Sequence, residues 1–103
     1  MFEAGLLKDK VILVTGGGTG LGRAMATRFL TLGGKLVIAG RRAGVLEQAA
    51  AEMAAETSGE GFTQAVDVRD PEAVARMISE AEKHYGSVDV LVNNAAGNFV
   101  SPT

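Results

Sequence analysis

Residues 15–22 read TGGGTGLG and stand between an apolar run and the start of a helical pattern. Backbone N–H groups in such a turn converge with the unsatisfied amides of the helix N-terminus, and the helix dipole favours negative charge there, so the chemistry is that of a phosphate cradle. The glycines Gly16, Gly20 and Gly22 give G-x3-G-x-G, with Gly18, Thr19 and Leu21 between them. No frame gives the G-x-G-x-x-G of the generic dinucleotide fingerprint, because Leu21 falls where its third glycine belongs. A turn that merely links strand to helix is the plain alternative; its placement between the two elements favours the phosphate site.

A second cluster follows the next apolar run, in KLVIAGRR. A site for NAD needs an Asp or Glu at the end of that strand, about 20 residues beyond the glycines, to take the ribose hydroxyls. This sequence has Gly40 there, followed by Arg41 and Arg42. A carboxylate would repel a 2′-phosphate, whereas guanidiniums bind one through charge-assisted, often bidentate, hydrogen bonds. The cofactor expected is therefore NADP(H). Arg41, next to the strand, is the stronger of the two; Arg42 is open to being a solvated turn residue. Asp67, at the end of a third run, either accepts from an adenine amino group or caps the turn leading to Asp70-Pro71.

The elements that must position these groups can be read from periodicity. Runs at residues 10–15, 35–39, 62–68 and 88–93 are rich in β-branched residues, and the first, second and fourth are nearly continuous in apolar side chains, as strands of a parallel sheet are. The third is weaker and suits an edge. Between them, Leu21, Met25, Phe29 and Leu32 form an apolar stripe ended by Gly33-Gly34, and residues 43–55 repeat the pattern with Val45, Leu46, Ala49, Ala50 and Met53. A third helix opens with Asp70 as N-cap and Pro71 at its first position, buries Val74, Met77, Ile78, Ala81 and Tyr85, and has Gly86 available as a left-handed cap. The order β-α-β-α-β-α-β predicts an α/β fold: a Rossmann-type, doubly wound parallel sheet with strand order 3-2-1-4. Residues 1–103 then form part of a single nucleotide-binding domain, with no linker and no second domain.

Composition bounds the rest. The 103 residues are 47% apolar and 21% charged, with a formal charge of −2 and no block of like charges, which gives no support to nucleic-acid or membrane-surface binding. There is no cysteine and one histidine, His84, so disulfides, a thiolate nucleophile and a zinc site are all without the residues they need. No apolar run approaches the ~20 residues that cross a bilayer, and the first residues do not resemble a signal peptide. The expectation is a soluble, cytoplasmic chain.

With TGGGTGLG and NNAAG both present, the sequence resembles the short-chain dehydrogenase/reductase family, whose members carry T-G-x3-G-x-G after the first strand and N-N-A-G after the fourth. The resemblance covers the whole chain. It implies that Asp67 and Val68 line an adenine pocket and that Asn93, Ala95 and Gly97 pass beneath the adenosine ribose and the nicotinamide side. VIAGR, DVRDP and NNAAGNFVSPT are, more narrowly, similar to the NADPH-dependent 2,4-dienoyl-CoA reductases of fatty-acid β-oxidation. That similarity implies an acyl-CoA substrate, Asn98 as the catalytic amide donor to the thioester carbonyl, Phe99 against the acyl chain, Arg41 and Arg69 near phosphates of the cofactor or of CoA, and a homo-oligomer, a tetramer in the family. For Asn98 read alone, a turn-former before Phe99 is the plain alternative.

The sequence departs from that family in extent. The family's catalytic Tyr, Lys and Ser lie in a second half with no counterpart here. Tyr85 sits on a helix's apolar face with Asp89, not Lys, four residues on, and reads as packing. These residues are thus expected to be the front portion of a reductase that continues past Thr103, and to be inactive alone. A 3-oxoacyl carrier-protein reductase or other carbonyl reductase of the same family is the enzymatic alternative. A non-catalytic module that binds NADP(H) is the other.

Overall fold

The computed structural model describes residues 6–18 and 20–94. Four parallel strands, β1 (Val11–Thr15), β2 (Lys35–Gly40), β3 (Gly61–Ala65) and β4 (Val90–Asn93), form one sheet in the order β3-β2-β1-β4. Three helices, α1 (Gly20–Thr31), α2 (Ala43–Thr57) and α3 (Pro71–Tyr85), make the crossovers. The chain steps outward from β1 to β3 and then returns across the sheet to lay β4 on the other side of β1. The direction of travel reverses between β1 and β4.

Alternation along the two central strands divides the core. Ile12, Val14, Leu36 and Ile38 pack with Ala26 and Leu30 of α1 and Leu46, Ala49 and Met53 of α2. Val11, Leu13, Val37 and Ala39 face the other way onto Met77 and Ala81 of α3. Both faces of β1 and β2 are thereby covered, which is why these strands could afford unbroken apolar sequence. β4 is different: Val90 and Leu91 are 42% and 52% exposed, an open apolar edge among the described residues.

Helix ends follow local chemistry. The chain leaves α1 through a Schellman motif, with Gly34 N–H donating to the Phe29 carbonyl at 3.0 Å, Gly33 N–H to the Leu30 carbonyl at 2.9 Å, and Gly33 at φ 91°. Asp70 caps α3 by accepting from Glu72 N–H at 3.0 Å. Gly86 has a positive φ but an extended ψ of −166°, so it ends α3 outside the left-handed helical basin expected of it.

Three expectations need correction. The buried face of α1 is Gly22, Ala26 and Leu30, with Met25 and Phe29 flanking it, while Leu21 is 68% exposed. The helix starts so close to the glycine loop that only the smallest residues fit against it, and a stripe drawn through the largest side chains is therefore one position out of phase. The third strand ends at Ala65, two residues before Asp67. Val66 N–H still reaches the Gly40 carbonyl, but the Asp67 carboxylate then accepts from Arg69 N–H and Asp70 N–H bonds the Asp67 carbonyl, which turns the chain away from the ladder. β4 likewise begins at Val90, because Asp89 is already committed to Val11: its N–H donates to the Val11 carbonyl and its side chain accepts from Val11 N–H.

Candidate functional site

The C-terminal ends of β1, β2 and β3 surround a crevice of about 530 Å³. Its walls include Gly16 and Gly18 of the glycine loop, the Gly40-Arg41-Arg42 turn, and residues 66–69 of the turn after β3. The fold thus brings together Gly16, Gly18, Arg41, Arg42, Asp67, Val68 and Arg69, all singled out from sequence. Val45, Leu46 and Val66 complete the walls and were not. Their signal was present only as helix and strand pattern, since an apolar residue that lines a pocket looks like one that fills a core.

Close approach shapes the loop. Gly16 and Gly20 lie at φ 69° and 57°, a conformation side chains disfavour. A Cβ on Gly22 would land on the Gly16 carbonyl oxygen and 2.7 Å from the Asn94 side-chain nitrogen. Gly22 therefore seats the first turn of α1 on the loop, and Leu21 beside it projects outward. Thr19 lies outside the described residues, as do Ala95, Gly97, Asn98 and Phe99.

Thr15 heads the glycine motif but is not among the positions singled out from sequence. Its buried hydroxyl donates toward Asn93 Oδ1 at 3.1 Å and accepts from Asn94 N–H at 2.8 Å, which ties the end of β1 to the end of β4. Asn93 thus anchors the strand end from which the segment beginning at Ala95 departs. Asn94 was missed too, and it packs against Gly22 as the second asparagine of the quoted motif.

Charge in the crevice is uneven: the walls carry three guanidiniums, Arg41, Arg42 and Arg69, and one carboxylate, Asp67. Arg42 occupies the N-cap of α2 with extended backbone and no side-chain cap bond, so the first turn of α2 adds a positive dipole end beside the arginines. Asp67 is gripped by Arg69, whose Nε donates to Oδ1 at 3.0 Å and Nη2 to Oδ2 at 2.9 Å, while Arg69 N–H also reaches Oδ1 at 2.9 Å. Those side-chain and backbone hydrogen bonds hold the Asp67 carboxyl down to about 2, against an opposing effect of burial and with lesser help from the charges of Arg69 and Arg41. A carboxylate depressed on folding stabilises the fold above its unfolded pKa of ~4 and loses that contribution as pH falls toward the folded value. In acid unfolding, wild type and Asp67→Asn should accordingly differ above pH ~4 and converge on approach to pH ~2; a difference that persists unchanged at the acid end would assign the effect to packing.

Away from the crevice, Tyr85 is half-buried in a ring cluster, edge-on to Phe62 and His84, and its hydroxyl donates to the Glu60 carbonyl at 3.4 Å. Burial, then the Glu60 charge, raises its pKa. It packs, as its place on the helix implied. His84 stacks on Phe62 at 4.0 Å, and no group of three metal-ligating side chains occurs among the described residues. No helix among them is long and apolar enough to cross a membrane.

Topology, loop and crevice together define a Rossmann-type α/β unit whose reversal point lies beside its glycine loop. The family model for short chain dehydrogenase matches residues 10–103, and the chain belongs to that family. Among curated relatives, an uncharacterised oxidoreductase of Caenorhabditis elegans is 50% identical over 96% of this chain, and a protein of the same organism named probable 2,4-dienoyl-CoA reductase is 48% identical over the same share. A peroxisomal 2,4-dienoyl-CoA reductase of Rattus norvegicus is 39% identical over 99% of the chain. The chain spans about a third of the length of these relatives, 32% to 35%. Among solved structures, a citronellol catabolism dehydrogenase of Pseudomonas aeruginosa superposes with a TM-score of 0.85 at 38% identity, over 90% of this chain and 38% of its own. The L-sorbose reductase of Gluconobacter frateurii, solved with NADPH and L-sorbose, gives 0.84 at 30% identity over 98% of this chain and 38% of its own.

Proposed function

We propose that residues 1–103 are the cofactor-holding part of a single-domain, NADPH-dependent reductase of unsaturated acyl-CoA, with a 2,4-dienoyl-CoA as substrate. The observation that carries this reading is the Gly40-Arg41-Arg42 turn facing the glycine loop across one crevice, in a chain 48% identical to a protein named for that activity. The crevice fits the cofactor by its charge: three guanidiniums and the amide-lined loop suit a phosphate-rich ligand, and Gly40 leaves the 2′-phosphate unopposed. NADPH would supply the hydride. Gly16, Gly18, Thr19, Gly20 and Gly22 would hold its pyrophosphate, Arg41 and Arg42 its 2′-phosphate, Asp67 and Val68 its adenine, and Leu21, Asn93, Ala95 and Gly97 would border its ribose and nicotinamide side.

On the substrate side, reduction of the conjugated diene drives negative charge onto the thioester oxygen. Asn98 would donate a hydrogen bond there, stronger as the charge develops, and Phe99 would bear on the acyl chain. Arg69 keeps donors beyond those given to Asp67 and can meet a CoA phosphate. The working form would be a homo-oligomer. The location expected from sequence is the cytoplasm, while several relatives are named peroxisomal, so the compartment is to be read by imaging the tagged native protein. The central test is consumption of NADPH by the native polypeptide on adding a 2,4-dienoyl-CoA. Turnover with a 3-oxoacyl thioester but not with the dienoyl-CoA would replace this substrate by a carbonyl.

Cofactor choice can be tested by binding. A Cβ on Gly40 meets only Leu46 side-chain carbons at 3.5 Å and 4.0 Å, ordinary contact, so the first carbon of Gly40→Asp is accommodated. Its carboxylate would repel a 2′-phosphate and accept from a free 2′-hydroxyl. Titration should show NADPH weakened about tenfold or more, the scale of a charge-assisted hydrogen bond, with NADH strengthened. An unchanged ratio of the two affinities would place the 2′-phosphate elsewhere.

A further inference from the structure

The Asp67–Arg69 pair carries more than a turn. A carboxylate has about four lone-pair directions. Arg69 takes three of them: Oδ1 accepts from both Arg69 N–H and Nε, and Oδ2 accepts from Nη2. One acceptor direction on Oδ2 remains. The grip fixes the carboxyl plane by a two-point fork and a backbone bond, although both side chains are substantially exposed, Asp67 at 41% and Arg69 at 74%. Two residues apart on a surface turn, a free Asp and a free Arg would sample many rotamers, and ordering them after a ligand arrives would cost affinity. Here the ordering is already done, at the wall of the nucleotide crevice.

We infer that Arg69 is a positioning residue for the cofactor's base: by holding the Asp67 carboxylate in one orientation, it leaves one acceptor for the exocyclic amino group of adenine. The inference rests on the reading of Asp67 as the adenine acceptor and adds a residue that reaches the base through it. It predicts selectivity for a donor at the purine 6-position. A 6-oxo purine puts an acceptor there and meets a carboxylate that cannot rotate away.

The test is equilibrium binding to the native polypeptide, comparing NADPH with its hypoxanthine counterpart, in wild type, Asp67→Ala, Arg69→Ala and Arg69→Lys. Thermal melting checks that each is folded, and in every Arg69 variant the backbone N–H to Asp67 survives. Wild type should prefer NADPH about tenfold, the scale of one hydrogen bond to a charged group. Asp67→Ala should abolish the preference and Arg69→Ala should lose most of it, while Arg69→Lys, which keeps the charge without the fork, restores it only in part. For Arg69→Ala the KM for NADPH should rise more than the KM for its hypoxanthine counterpart. A preference lost in Asp67→Ala but intact in Arg69→Ala overturns the positioning role alone. A preference intact in both overturns the adenine reading beneath it.

Discussion

Asn98→Ala in the native polypeptide should lower turnover of a 2,4-dienoyl-CoA by about 10² to 10³ while leaving NADPH binding unchanged. The magnitude is that of removing one preorganised donor from a developing oxyanion, ~2.7–4 kcal/mol in the barrier. It rests on Asn98 acting at the thioester oxygen, where charge is larger in the transition state than in the bound substrate, so the loss should fall on kcat more than on KM. Asn93, five positions earlier, is tied to Thr15, so the segment departs from a fixed strand end, which such a donor requires. Steady-state kinetics with the purified variant decide the matter. Unchanged turnover would remove Asn98 from the chemistry and return it to the role of turn-former.

Gly22→Ala should be the most damaging single methyl that can be added to the described residues of the loop. Its Cβ would clash with the Gly16 carbonyl oxygen, a backbone atom of the glycine loop that cannot rotate aside, and would press on Asn94 as well. Overpacking of this kind costs about 3 kcal/mol or more when nothing flexible can yield. Relief would require α1 to lift off the loop, pulling its first amides out of register with Gly16 and Gly18. Both melting temperature and NADPH affinity should therefore fall together. Gly44→Ala is the control: it adds the same methyl near the start of α2, meets nothing within 4 Å, and should be neutral or stabilising by about 0.5–1 kcal/mol. Equal behaviour of the two variants would show that the contact at Gly22 relaxes freely.

The sheet was legible because its strands say the same thing twice. β1 and β2 are apolar on both faces and flanked by helix signals, and connection rules leave little freedom in the order β3-β2-β1-β4. Asp70-Pro71 and Gly33-Gly34 marked helix ends through local chemistry that tertiary contacts did not override. The misjudged features are those set by close approach. Leu21 was assigned inward because hydrophobicity is a property of one residue, whereas the burial of Gly22 is a property of the distance between a helix and a loop. Asp67 falls in the run 62–68 that β-branched residues mark as a strand, but its carboxylate accepts from Arg69 N–H and turns the chain instead. Of the candidate site, the polar wall could be read residue by residue, while the apolar wall of Val45, Leu46 and Val66 could not.

The seam between β1 and β4 has a consequence for how the chain comes to be folded. Its clasps, Asp89 to Val11 at one end and Thr15 to Asn93 at the other, each join residues 78 apart in sequence. Contacts that distant form late, because the intervening chain must first be gathered. The crevice, in contrast, is lined from Gly16 to Arg69. During synthesis, which proceeds from the N-terminus, the walls of the crevice can therefore assemble before α3 and β4 have emerged. A nucleotide captured at that stage would stabilise the unfinished sheet by mass action, holding β1 and β2 in place until β4 arrives to close the open flank of β1.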